Sequence, residues 1–107
     1  MSVNNKFIVI YTTFPDLKTA KKIIHGLLKN RLIACANIFK IDSIYTWKKK
    51  IEKAKEYGVF IKTRKAKYKS VESFIKDNHP YEVPEIICWD IEDGLPIYFD
   101  WIETETG

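Results

Sequence analysis

Two consecutive runs, Leu32–Trp47 and Lys50–Thr63, carry strand-like patterning and are separated only by Lys48 and Lys49. In the first, Ile44 and Thr46 alternate with Tyr45 and Trp47, the period of two that sends neighbouring side chains to opposite faces of a sheet. Both runs far exceed the roughly 5–6 residues of an average strand. At about 3.3 Å per residue the resulting hairpin reaches beyond ~40 Å, whereas a helix of about 16 residues covers only ~24 Å. The hairpin must therefore overhang any helices packed on it. Its far end carries Ile41, Ile44, Tyr45, Trp47, Ile51 and Tyr57. A two-stranded ribbon is marginal alone in water, and a large exposed apolar surface marks an interface. The length therefore predicts a homo-oligomer whose ribbons lie on neighbouring subunits and pair edges with them. The alternative is a bulged, twisted hairpin curling over its own sheet.

The remaining elements follow from periodicity. Lys6–Thr13 is a short β-branched run that reads as a buried strand. Pro15 and Asp16 then supply a helix start. Ala20, Ile23, Ile24, Leu27 and Leu28 recur at helical spacing, and this helix should end near Asn30–Arg31. A second helix is spaced through Tyr68, Val71, Phe74 and Ile75, and Glu85–Ile91 reads as the last buried strand. A short terminal helix begins near Pro96, with Tyr98, Trp101 and Ile102 on one side. The order β-α-β-β-α-β predicts an α+β, ferredoxin-like sandwich with an extended β2–β3 hairpin, one domain over residues 1–107. In that fold the second and fourth strands are opposite edges, so Cys35 and Cys88 stand ~14 Å apart. This is too far for a disulfide. Both cysteines are expected to be reduced core thiols.

The net charge of +4 and sequence pI near 9.0 raise polyanions as partners. The lysines are scattered, however, with one tight cluster at Lys48–Lys50, which equally describes a solvated surface. No apolar run is long enough to span a bilayer, and "MSVNNK" lacks the apolar core of a signal peptide. These features give the expectation of a cytoplasmic protein without membrane partners.

The stretch "DNHPYEVPEI", Asp77–Ile86, concentrates candidate chemistry. Pro80 stops the second helix and biases His79 toward extended geometry, and Pro84 does the same to Val83. His79 with Glu82 could offer an imidazole and a carboxylate to copper, zinc or another divalent metal. Two donors fall short of a closed zinc site, so ligands from another subunit would be needed. Alternatively, His79 only donates to a carbonyl at a chain corner. The other histidine, His25, is expected on the exposed side of the first helix. A second constellation comprises Glu56 and Lys62, on one face of the third strand, with Asn37, Ser43, Tyr45 and Tyr81. These six could line a polar cleft between subunits for a small anion or metabolite, or form an interfacial ion-pair network.

No nucleophile, base and orienting group stand together in this pattern, so no enzymatic reaction is expected. An RNA-recognition domain shares the element order. Its third-strand motif matches "KEYGVFIK" at the lysine, tyrosine and glycine positions, but Glu56, Val59 and Lys62 occupy positions needing glycine and stacking aromatics. Nucleic acid is thus an improbable partner. An acylphosphatase-like reading lacks the glycine-rich anion cradle and arginine in "TFPDL".

The segments "YTTFPD" (Tyr11–Asp16), "LIACANI" (Leu32–Ile38), "SIYTW" (Ser43–Trp47), "IKT" (Ile61–Thr63) and "HPYEVPEI" (His79–Ile86), with Tyr98 and Trp101, resemble the CutA family of divalent-cation tolerance proteins. The resemblance implies a ferredoxin-like subunit in a homotrimer, a role in tolerance of copper (Cu2+) and other divalent metals, and no established reaction. No metal is expected to be required for folding. A trimeric, PII-like signalling scaffold that binds a small molecule or anion is the alternative function. The family commonly has glycine at Lys49, in the hairpin turn. Some members have cysteine at the position of Tyr11 and histidine at that of Asn78, so of those metal donors only His79 is present here.

Overall fold

The computed structural model describes residues 6–107; the "MSVNN" on which the leader expectation chiefly rests lies outside them. The elements are β1 (Phe7–Phe14), α1 (Leu17–Lys29), β2 (Cys35–Trp47), β3 (Lys50–Arg64), α2 (Tyr68–Asn78), β4 (Ile86–Asp90) and α3 (Pro96–Glu105), with a 3₁₀ turn at Lys65–Lys67. The four strands form one antiparallel sheet in the order β2-β3-β1-β4.

Alternation divides the sheet into two unlike faces. Ile8, Ile10, Phe14, Val59 and Ile61 are buried with Ala20, Ile23, Ile24 and Leu27 of α1 and Val71 and Ile75 of α2. Leu28, expected on this apolar stripe, is instead 39% exposed at its margin, and His25 is exposed as its lysine-side position predicted. Asp16 starts α1 by accepting the Thr19 N–H at 2.7 Å, and that bond holds its carboxyl below the ordinary carboxylate value.

On the opposite face α3 covers only one end, where Phe7 and Phe99 stack with centroids 4.6 Å apart. Two arginines hold the carboxyl end of α3. Arg31 donates to the Thr104 and Gly107 carbonyls at 2.6 and 3.1 Å, and Arg64 to the Thr106 carbonyl at 2.6 Å. Cations there also complement the negative end of the helix dipole. The rest of this face is open and aromatic: Phe60 lies 5.3 Å from Tyr11, 5.2 Å from Phe39 and 6.2 Å from Trp89. Gly58 permits this, because a Cβ there would meet the Tyr11 hydroxyl at 2.9 Å and the Phe39 ring at 3.1 Å.

The cysteines are not core thiols. Both lie on edge strands: Cys35 is half-buried at the margin of the cluster of Phe7, Ala34, Phe99 and Ile102, and Cys88 is exposed. They are at opposite edges, as expected, and unpaired.

Pairing continues in one register from Cys35 opposite Lys62 to Trp47 opposite Lys50, without a bulge. Of β3, only Tyr57–Arg64 also pairs with β1. The segment from Lys50 to Glu56 therefore projects about 20 Å past the four-stranded sheet, leaving Ile44 68% and Ile51 76% exposed. Lys48 and Lys49 close it with φ of 51° and 69°. Two successive positive φ values define a type I′ turn, whose right-handed twist suits the strands and which favours Asn-Gly. A side chain in this region costs on the order of 1 kcal/mol relative to glycine. Lys49→Gly should therefore stabilise the protein by about that amount, read as a higher midpoint in guanidinium unfolding. An unchanged or lower midpoint would refute the strain.

Candidate functional site

The chain corner after α2 organises the site. His79 leaves the helix with φ −84° and ψ 138°, as a residue before proline should. Its Nε2–H donates to the Thr13 carbonyl at 2.7 Å, while Nδ1 accepts the Tyr81 N–H at 3.1 Å. The neighbours fix these roles, since a carbonyl only accepts and an amide N–H only donates. The ring also stacks on Phe14, with centroids 4.9 Å apart, and leans on Tyr81 at 4.8 Å. No ring lone pair is left for a metal.

The corner in turn places Tyr81, whose hydroxyl donates to Glu56 Oε2 at 2.5 Å. Glu56 is only 7% exposed. Burial and the Glu56 bond drive the Tyr81 phenol well above the ordinary 10.0. Burial, followed by the charges of Glu85 and Glu56, also raises Tyr11. Between this corner and the projecting ribbon opens a cleft of about 580 Å³. Tyr45 and Trp47 of β2 form its ribbon wall, Thr13 and Glu56 belong to the sheet, and Glu82 and Glu85 flank the corner. Tyr45, Trp47 and Glu56 meet there because the unbroken register puts them on one face of the ribbon.

Within one chain, the six residues expected to line a cleft between subunits lie in three places. Tyr45, Glu56 and Tyr81 line the cleft. Lys62 shares the face of Glu56 but stands six residues along the strand, about 20 Å away, with Gly58 and Phe60 between. There Lys62 donates to Asn37 Oδ1, which also lies 3.9 Å from the Cys35 thiol; the Tyr98 hydroxyl approaches the same sulfur at 3.8 Å. Ser43 pairs with Ala54 along the ribbon and is half-buried, outside the cleft lining. A shared face says nothing about distance along it, so the Glu56–Lys62 pocket does not form within one subunit.

Sequence reasoning missed Thr13, Trp47 and Glu85 as lining residues. Trp47 was legible through its parity with Tyr45, whereas nothing local marks Thr13 or Glu85. The proposed metal pair is likewise not assembled: His79 is committed to the backbone and Glu82 is exposed at the cleft rim. Among the described residues, no three His, Cys, Asp or Glu side chains converge on a point. The donor set of one chain does not fit a resident copper or zinc ion.

Two outcomes follow from this geometry. His79→Ala orphans the Tyr81 N–H and the Thr13 carbonyl and should cost roughly 1–3 kcal/mol in chemical denaturation. The same variant should leave copper affinity by calorimetry unchanged; a large loss of affinity would restore His79 as a ligand. The second outcome concerns pH. Folding raises the Tyr81 pKa, so above pH 10 the unfolded chain releases this proton first and the folded state binds more protons. The stabilisation is complete below about pH 10 and declines as pH rises further. Absorbance titration at 295 nm should show several late-ionising tyrosines, since Tyr68 and Tyr98 are also pushed up to about 12, and Tyr81→Phe should remove one of them.

The family model for the CutA1 divalent ion tolerance protein matches residues 8–105. The chain is 46% identical over 99 residues to the divalent-cation tolerance protein CutA of Pyrococcus horikoshii, covering 92% of this chain and 97% of that one. The Thermococcus kodakarensis protein of the same name is 41% identical, with 89% and 91% covered. The crystal structure of CutA1 from Pyrococcus horikoshii superposes with a TM-score of 0.90 at 44% identity, covering 94% of this chain and 98% of that one. An Archaeoglobus fulgidus structure gives 0.93 at 40% identity, covering 94% and 99%. That protein is described as a periplasmic divalent cation tolerance protein, which overturns the cytoplasmic placement expected from composition and the amino terminus. Charge balance and apolar run length do not encode an address. With nearly its whole length matched, the chain belongs to the CutA1 family of divalent ion tolerance proteins.

Proposed function

We propose that this divalent-cation tolerance protein acts as a homotrimer that binds a small ligand in the cleft beside its projecting ribbon, and that it works by binding and not by catalysis. The supporting observation is the open sheet face. Phe39, Phe60, Ile87 and Trp89 are 36%, 37%, 49% and 46% exposed in a single chain, and Ile44 and Ile51 at the ribbon end are more exposed still. Contiguous apolar surface of this kind belongs to an interface. The long outer edge of β2 also keeps unpaired backbone groups available to another strand. Three copies is the number implied by the family resemblance.

Copper or another divalent ion has no complete donor set in one chain, so tolerance is read here as a response transmitted through the cleft or through ligands completed by a neighbouring subunit. The signalling-scaffold reading and the cation-tolerance reading meet at this cleft. It lies at the root of the ribbon that would cross to the neighbour, where occupancy and assembly are coupled.

Light scattering should return three times the 12.6 kDa chain mass at micromolar protein. Phe60→Glu, which sets a charge in the middle of the aromatic face, should shift the mass toward that of one chain. A folded wild-type species of single-chain mass would end the proposal. Aromatics on a sheet face also suit stacking with single-stranded RNA. Absence of a salt-dependent mobility shift at low salt separates the two uses of the face.

A further inference from the structure

The cleft at Glu56 runs against the charge of the whole molecule. The protein has net charge +4, yet the cleft is lined by Glu56, Glu82 and Glu85, with no Lys, Arg or His among the described residues that form it. Glu56 is the most telling of the three. It is more than nine-tenths buried, lines the cavity, and among the described residues takes its one side-chain hydrogen bond from the Tyr81 hydroxyl. No cation among the described residues forms a salt bridge with it. A buried carboxylate without a positive partner is costly, and one neutral donor leaves most of its acceptor capacity unused.

The walls indicate which cation compensates it. Tyr45, Trp47 and Tyr81 present three aromatic side chains around the carboxylates, and aromatic faces attract organic ammonium groups within about 6 Å of the ring. A bare metal ion would want several oxygens converging at 2.0–2.6 Å, and no such group of three exists among the described residues. The volume of about 580 Å³ suits a small molecule and greatly exceeds a single ion.

We infer that this cleft is a binding site for an alkylammonium compound, its cationic head against Glu56 and its carbon chain along Tyr45 and Trp47. The inference names the ligand class for the cleft of the proposed function and rests on that reading. The Tyr81 hydroxyl orients the Glu56 carboxylate, while Glu82 and Glu85 at the rim favour cations with a second amine.

Calorimetric titration of the full chain in its native assembly, with tetramethylammonium, n-butylammonium and spermidine as probes at constant ionic strength, tests the inference. Saturable binding of an organic cation is expected, with sodium and magnesium failing to compete. Glu56→Gln keeps the shape and an acceptor for Tyr81 while removing the charge, and should weaken binding at least tenfold without lowering the melting temperature. Trp47→Leu should weaken it independently, and the wild-type Trp47 emission should change on binding. Equal affinity in Glu56→Gln, or no binding of any probe by the folded assembly, overturns the inference. Dissociation of the assembly by Glu56→Gln also overturns it, since the ammonium would then be a lysine of a second copy. Light scattering on the same samples keeps a failure of trimer assembly distinct from failure of the ligand class.

Discussion

The unbroken register between β2 and β3 is the constraint on which the rest of the structure depends. With β3 held by β1, a slip of one residue would exchange the faces of every side chain on β2, moving Ile38 away from the helices and Phe39 toward them. The register is fixed at one end by the buried core and at the other by a two-residue turn that accepts strained lysines to keep it. It also sets Tyr45, Trp47 and Glu56 on a common face. The cleft is thus a consequence of how the ribbon pairs, and its depth comes from the ribbon extending past β1.

The corner from His79 to Pro84 is the other fixed point. Its histidine looks like a ligand because imidazole, carboxylate and tyrosine occur close together in sequence. In three dimensions its two nitrogens join backbone from β1 to backbone after α2, and the ring packs on Phe14. The hydrogen bond from Tyr81 to Glu56 depends on that joint. A residue of this kind acts through position: it determines where the phenol and the carboxylate meet, and contributes no donor of its own to the cavity.

Charge is distributed in a way that bulk composition conceals. Most of the lysines lie on exposed helix surfaces and along the ribbon, where water screens them. The carboxylates of Glu56, Glu82 and Glu85 instead line a partly enclosed cleft, beside which burial first, and then Glu56 (with Glu85 for Tyr11), raise the pKa of Tyr11 and Tyr81. A basic isoelectric point therefore describes the outer surface, while the candidate site is acidic. The two conclusions concern different dielectric surroundings.

Periodicity along the chain determined the element order, the α+β class, the edge positions of Cys35 and Cys88, and the overhang of the ribbon. These are legible because burial on one face imposes a repeat of two or 3.6 residues that local sequence must carry. The helix stop at His79 was equally legible, since Pro80 acts through its own covalent geometry. Only the tertiary structure decided that Glu56 partners Tyr81 while Lys62 partners Asn37, that both nitrogens of His79 are engaged, and that Cys88 lies outside the core. Those outcomes depend on distances between segments remote in sequence, and alternation specifies a face without specifying a separation along it. Thr13 and Glu85 entered the cleft for the same reason: an ordinary residue becomes part of a site when the fold brings a wall to it.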